Sequence, residues 1–138
     1  MNNTKKFYSK DGAVLLHMVH SLTGNPIGRT NIAPQDEFLQ LASIKGNEGI
    51  VTDPHKHKWK SSPEKTITQE SWVVIKGSVK FYMYDLDNTL ISTEILTPGD
   101  ISLTFQGGHT YEFLEKDTIV YEFKTGPYYG QSSDKELI

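Results

Sequence analysis

Hydrophobic and polar residues alternate along most of this chain, and a period of two is the pattern of β-strands whose faces meet different environments. In residues 78–85, SVKFYMYD, the side chains of Val79, Phe81 and Met83 fall on one face of an extended segment. Gly, Pro, Asn and Asp interrupt the alternation about every eight to twelve residues, which is the spacing of turns in sandwiches and barrels. The pattern therefore predicts an all-β domain of about eight to ten short strands.

Residues that favour turns bound each predicted strand. The first strand spans 13–20 and is followed by a turn region at 21–30, while DLDN at 85–88 and TPGD at 97–100 are typical of tight turns. The later predicted strands are 37–45, 70–77, 78–85, 89–96, 101–105, 107–115 and 117–124. The residues expected in or near the core are Trp72, Val74, Val79, Phe81, Ile101, Leu103, Phe113 and Ile119.

Composition narrows the class of protein. The 138 residues fit a single domain, since a chain of this length buries about two thirds of the surface that it exposes when unfolded. A net charge of −3 provides no basic surface for nucleic acid, so we expect none as a partner. No apolar stretch approaches the roughly 18 residues of a membrane span. The N-terminus lacks the apolar segment of a signal peptide, and we expect a cytoplasmic protein without a membrane partner.

The histidines point to a metal site. In an extended segment His55 and His57 project from the same face, and Glu70 and His109 open two later predicted strands. Two glycines precede His109, and without Cβ atoms they let its backbone approach neighbouring groups closely. Because the chain has no cysteine, the ligands would be imidazole nitrogens and carboxylate oxygens. Such a set suits a divalent transition metal, namely Fe, Mn, Ni, Zn or Cu.

Each of these residues also has an ordinary structural explanation. His55 and His57, beside lysines, fit a solvent-exposed loop, and His109 fits a hydrogen-bonded histidine of the core. Glu70 fits a charge at the edge of a strand. Glu64 lies between the histidine pair and Glu70 and is a second candidate for the carboxylate ligand.

Four short motifs occur in a telling order. They are H-x-H at 55–57, E-x6-G from Glu70 to Gly77, P-G-D at 98–100 and G-G-H at 107–109. This order resembles the two motifs of the cupin superfamily, and the chain is similar to small single-domain cupins found with bacterial surface-polysaccharide and sugar-nucleotide genes. The resemblance departs from the usual pattern at two places. Residues 58–69 lengthen the first motif, and the second is one residue short, with Phe105 where proline is common.

The resemblance implies a fold and a cofactor. The fold would be a single-domain, cupin-type antiparallel β-barrel, also called a double-stranded β-helix or jelly roll. Residues 37–124 would form the barrel core, 13–20 an N-terminal strand and 125–138 a polar tail, with a turn at Gly126-Pro127. The cofactor would be a divalent transition metal, Fe, Mn, Ni or Zn, and its ligands would be His55, His57, Glu70 and His109.

The resemblance also implies chemistry on a sugar or sugar nucleotide. The leading hypothesis is an isomerase or epimerase that moves a proton next to a carbonyl, with His57 or His109 as the catalytic base because an ordinary histidine titrates near neutral pH. One alternative is a non-enzymatic sugar-binding or regulatory module, and another is an Fe(II)-dependent dioxygenase. Trp59 and Trp72 are candidates to stack on a sugar ring, although both also suit packing.

Three further expectations concern the surface. Residues 58–69 carry several lysines and are expected either to fold over the barrel mouth as a lid or to form a mobile surface loop. The predicted strand 13–20 is apolar on both faces, which favours a homodimer. His17 and His20 fall on opposite faces of that strand and are expected to have structural or surface roles.

Overall fold

A computed structural model describes residues 4–22, 24–60, 66–128 and 130–138. Strands dominate the described residues, and no helix among them is long and apolar enough to cross a membrane. The strands are β1 (Thr4–Tyr8), β2 (Leu15–His20), β3 (Gly28–Asn31), β4 (Leu39–Gly46), β5 (His55–His57), β6 (Trp59–Lys60), β7 (Thr66–Ile67), β8 (Glu70–Lys76), β9 (Val79–Tyr84), β10 (Leu90–Leu96), β11 (Ile101–Thr104), β12 (Gly108–Phe113), β13 (Thr118–Thr125) and β14 (Lys135–Leu137). A helix of one turn, α1 (Gln131–Asp134), precedes β14.

Two five-stranded antiparallel sheets form the barrel, as the alternation predicts. Sheet 1 has the strand order β10-β9-β12-β5-β14, and sheet 2 has the order β11-β8-β13-β4-β3. The chain passes repeatedly between them, because β8 and β9, β10 and β11, and β12 and β13 lie in opposite sheets. Each sheet therefore combines strands that are distant in sequence, and the all-β antiparallel barrel is confirmed.

The core lies between the sheets and is mostly aromatic and β-branched. Of the predicted core residues, Ile119 is half-buried, and the following belong to the buried cluster: Trp72, Val74, Val79, Phe81 and Phe113. Leu96, Tyr111 and Val120 complete this cluster.

The prediction of core residues is wrong for the two that lie on β11. Ile101 and Leu103 point outward and are 52% and 58% exposed, while Ser102 and Thr104 face the interior. The inward positions are polar because they have buried polar partners: the Ser102 hydroxyl lies 2.8 Å from the Tyr111 hydroxyl, and Thr104 contacts His109. Choosing the apolar face of an alternating strand as the inner face fails where the interior itself needs hydrogen bonds.

Strands also form in regions where the sequence predicts none, and two of them border the histidine cluster or its cavity. Part of the turn region at 21–30 belongs to β3, which pairs with β4 at the edge of sheet 2. The tail at 125–138 contains the turn expected at Gly126-Pro127, whose peptide bond is cis, but it then continues into α1 and β14. Because β14 pairs with β5, the tail is part of sheet 1 and lies beside the histidine pair.

The described ends of the segment 58–69 form a small hairpin of β6 and β7. Its cations contact the C-terminal segment: Lys58 Nζ donates to the Ser132 carbonyl at 2.7 Å, and Lys60 Nζ donates to the Pro127 carbonyl at 3.1 Å. The residues between β6 and β7 lie outside the described residues. They include Glu64, the second candidate for the carboxylate ligand, and the tip of the expected lid.

Candidate metal centre

Strand β5 presents both of its histidines to the barrel interior. His55 and His57 are 8% and 7% exposed, whereas Lys56 between them faces outward and pairs with Glu136 at 3.5 Å. The register places His55 opposite His109 of β12, and His57 opposite Lys135 of β14. The two histidines therefore share one inner face, as period-two alternation predicts.

Glu70 and His109 complete a buried cluster with these histidines. One ligand atom from each of the four residues can be chosen so that all lie within 4.8 Å of one another. His57 Nε2 lies 3.0 Å from Glu70 Oε2, and His109 Nε2 lies 3.1 Å from His55 Nε2. Three imidazoles and one carboxylate converging in this way fit a divalent transition metal, so the cluster could bind one.

The glycines before His109 have the role that the sequence suggests. Gly107 has a φ of +91°, and a Cβ built on it would lie 2.8 Å from the Tyr84 carbonyl oxygen. A Cβ on Gly108 would lie 2.4 Å from Ile138 and 3.2 Å from Tyr84. The atom in the way at Gly107 belongs to the backbone, so a side chain there would push β12 away from β9 and move His109. At Gly108 the Ile138 side chain could turn aside.

Outer hydrogen bonds orient two of the imidazoles. His55 Nδ1 donates to the Asp53 carbonyl at 2.8 Å, which directs Nε2 into the cluster. His109 Nδ1 lies 2.8 Å from the Thr104 hydroxyl, and its Nε2 likewise faces the other residues of the cluster. His109 has no exposed surface, so Thr104 and its neighbours enclose it completely.

Asp134, from the C-terminal segment, lies beside the third imidazole as an ion-pair partner, and no feature of the sequence predicts it. Its Oδ2 lies 3.2 Å from His57 Nδ1 on the side away from Glu70. Thr68 donates to Asp134 Oδ1 at 2.5 Å, and Lys60 Nζ lies 3.7 Å from the same oxygen. No local motif marks Asp134, because only the pairing of β14 with β5 brings it to the site.

These contacts shift the pKa values of the histidines in different directions. Burial opposes the charged form of His57, but the Asp134 and Glu70 carboxylates outweigh it and raise the pKa to about 9. Burial lowers the pKa of His55 and lowers that of His109 strongly. At neutral pH the metal-free cluster therefore contains one imidazolium, His57, between two carboxylates. The sequence-based hypothesis of His57 as a catalytic base assumes an ordinary histidine pKa, which His57 does not have.

A cavity of about 440 Å³ opens onto the cluster between β3 and β14, the edge strands of the two sheets. His55, His57 and Glu70 line it, whereas His109 does not. None of the described residues in 58–69 lines this cavity, so the described part of that segment does not act as its lid.

Glu122 on β13 is another buried carboxylate in the cavity, besides Glu70 and Asp134. Its Oε1 accepts a hydrogen bond from Arg29 at 2.5 Å, and its Oε2 accepts one from Trp72 Nε1 at 3.0 Å. The same indole nitrogen lies 3.1 Å from Glu70 Oε1, so Trp72 links Glu70 to Glu122. The Trp72 ring stacks on Tyr111 with centroids 3.8 Å apart, which leaves that face closed to a sugar.

The second tryptophan lies elsewhere. Trp59 is half-exposed on β6 and lines a separate cavity of about 280 Å³ with Phe38. The other two histidines do not belong to the cluster: His17 is exposed on β2, and His20 is half-buried with its ring 6.2 Å from that of Tyr121.

Neither a protein-family model nor a curated protein matches the sequence. Solved structures do match the fold. The chain is similar to KdgF from Halomonas sp. (TM-score 0.53, 18% identity, 70% of this chain and 76% of KdgF covered). It is also similar to the capsular polysaccharide assembling protein CapF from Staphylococcus aureus (TM-score 0.66, 14% identity, 80% of this chain and 31% of CapF covered). A third similar structure is an RmlC-like cupin protein from Desulfovibrio desulfuricans (TM-score 0.56, 13% identity, 78% of this chain and 94% of that protein covered).

The chain therefore has the cupin fold, a double-stranded β-helix, as the order of its sequence motifs predicts. The buried set of three histidines and one glutamate fits a metal-binding protein of this fold. The match to CapF spans about a third of that protein, so it concerns one domain-sized part of a longer chain.

Proposed function

We propose that this protein is a metal-dependent enzyme that acts on a sugar or sugar nucleotide by moving a proton next to a carbonyl group. The observation that carries the proposal is the convergence of His55, His57, Glu70 and His109 at the end of an open cavity. The similarity to CapF, described as a capsular polysaccharide assembling protein, supports a sugar-related substrate.

The four residues would hold the metal through the Nε2 atoms of the histidines and a Glu70 oxygen. A bound dication would supply a Lewis acid that polarises a carbonyl oxygen of the substrate. His55, His57 and Glu70 reach the cavity, and His109 closes the far side of the site. We therefore assign His57 and His109 their catalytic role as ligands rather than as proton carriers.

Glu122 is the group that we assign to proton transfer. It lines the cavity, it is buried, and it does not belong to the four-residue cluster. Arg29 and Trp72 each donate to one of its oxygens, which holds the carboxylate in a fixed position. Glu122 would remove a proton from the carbon beside the carbonyl and return it to the substrate at the same or a neighbouring carbon.

Exchange in deuterated water tests the proposal. Metal-loaded protein is incubated with 4-keto sugar nucleotides, and deuterium in the recovered sugar is measured by mass spectrometry. We expect uptake by the wild type and its loss in Glu122→Gln, with metal content unchanged. Glu112→Gln is the matched control, because Glu112 lies on β12 and accepts from the Tyr82 hydroxyl instead. Binding without exchange would favour the non-enzymatic module, and oxygen consumption would favour the dioxygenase.

A further inference from the structure

Two lysines reach the cavity from different sheets. Lys124 lies on β13 beyond Glu122, on the same inward face, and Lys135 opens β14 opposite His57. Lys124 Nζ lies 4.6 Å from the centre of the Tyr128 ring. Among the described residues, no carboxylate oxygen lies within 4.0 Å of either ammonium group, although other lysines of the chain have such partners.

The buried carboxylates of the cavity have other partners. Glu122 is bound by Arg29 and Trp72, and Asp134 and Glu70 lie on either side of His57. The Lys124 charge acts on Glu70 and Asp134 from more than 4.0 Å away, so neither lysine is needed to pair directly with these groups.

Lys135 lies close enough to act on the imidazoles electrostatically. Lys135 is the direct cross-strand partner of His57, and it lines the same cavity as His55. Repulsion from the same ammonium group would weaken the binding of a dication at the cluster. An anion located between the metal and Lys135 would be attracted to both and would offset that repulsion.

The charges of the groups that line the cavity also favour an anionic ligand. The groups that line it are the cations Arg29, Lys124 and Lys135 and the carboxylates Asp53, Glu70, Glu122 and Asp134. With neutral imidazoles and a bound dication, one positive charge is left over. A ligand with at least one negative charge would balance it.

We propose that Lys124 and Lys135 form an oxyanion-binding subsite above the metal centre, which holds a carboxylate or phosphate group of the substrate while a neighbouring oxygen faces the metal. The proposal rests on the proposed function and narrows its substrate to an anionic sugar. Two lysines from separate strands would fix the anion at two points and so orient the sugar along the cavity.

Calorimetric titration of the Ni²⁺-loaded protein tests the subsite. The probes are glucuronate, glucose 6-phosphate and uncharged glucose, which separate a carboxylate ligand from a phosphate ligand and both from the bare sugar. We expect at least one anion to bind about tenfold or more tightly than glucose, the gain of a charge-assisted contact. Lys124→Gln and Lys135→Gln should each remove most of that preference, and Lys135→Arg should keep it.

Two measurements separate this role from a structural one. Lys56→Gln is the matched control, because Lys56 lies on the adjacent strand β5 but faces outward toward Glu136, and its anion binding should equal that of the wild type. Lys135→Gln should also bind Ni²⁺ more tightly than the wild type when no anion is present. Equal affinity for glucose and both anions, no anion binding at millimolar concentrations, or an equal loss in Lys56→Gln would overturn the subsite. If Ni²⁺ itself fails to bind, the proposed function fails as well.

Discussion

His57 Nδ1 lies 3.2 Å from Asp134 Oδ2, which joins the histidine strand to the C-terminal segment. The opposite nitrogen, Nε2, lies 3.0 Å from Glu70 Oε2. A carboxylate beside the outer nitrogen of a metal-ligating histidine fixes the ring and makes the other nitrogen a more basic metal ligand. Asp134 is therefore expected to tune the metal centre although it does not belong to the four-residue cluster.

Replacing Asp134 with Asn tests this role. The amide retains the shape but loses the charge that favours the His57 Nδ1 proton, and we expect metal affinity to fall by about 10- to 100-fold. Competition with a chelating indicator measures the affinity. Glu136→Gln is the matched control, because Glu136 lies on the same strand and pairs with the outward-facing Lys56. Unchanged affinity in Asp134→Asn, or an equal loss in Glu136→Gln, would contradict the role.

The metal-free protein should lose stability as the solution becomes basic. His57 has a folded-state pKa of about 9, raised from 6.5. A raised pKa contributes stability that is fully present below the unfolded value and is lost as the pH rises through the folded value. The loss, on the order of 3 kcal/mol, should therefore fall between about pH 6.5 and 9.

Thermal melts in the presence of a chelator measure this loss. The lowered pKa values of His55 and His109 act in the opposite direction and below pH 6.5, so the basic window reports on His57. His57→Gln should flatten the dependence in that window, whereas His17→Gln should not. A wild-type melting temperature that stays constant from pH 6.5 to 9 would show that His57 does not carry the proton.

We also expect a homodimer. Strand β11 forms the edge of sheet 2 and exposes Ile101, Leu103 and, just beyond it, Phe105, which is 63% exposed. The β1-β2 hairpin, a separate two-stranded sheet, also exposes Leu16 and Val19. Apolar patches of this kind are typical of interfaces between proteins.

Light scattering with a paired set of variants tests the dimer. Leu103→Lys should yield a monomer, whereas Leu86→Lys should not, because Leu86 is equally exposed but lies in the hairpin turn at 85–88. Wild-type protein that is monomeric at tens of micromolar would argue against this expectation.

Local sequence predicts the parts of the site that depend on one strand at a time. Alternation is enough to place His55 and His57 on one face. Glu70 reaches the same cluster despite the long segment before it, since β6 and β7 pair as a hairpin and return the chain to the barrel. Once the motifs indicate a barrel, the four-residue cluster can therefore be inferred.

The remaining features depend on contacts between distant strands. The apolar side chains of Ile101 and Leu103 predict a core position, but the hydrogen-bonding needs of Tyr111 and His109 turn β11 the other way. Asp134 reaches His57 only because β14 pairs with β5. A polar tail gives no local sign of such pairing, and neither its short helix nor its strand has a clear hydrophobic period.

The most direct test of the metal centre is to measure metal bound per chain. Apo protein is titrated with Ni²⁺, Zn²⁺, Mn²⁺ and Fe²⁺, and bound metal is determined by elemental analysis after gel filtration. We expect one site per chain in the wild type, and an affinity reduced by more than about tenfold in His57→Ala and in His109→Ala. His17→Ala should bind as the wild type does, and circular dichroism should show that all variants keep their strands. Full metal occupancy in both site variants, or no affinity of the wild type for any of the four metals, would contradict the metal centre.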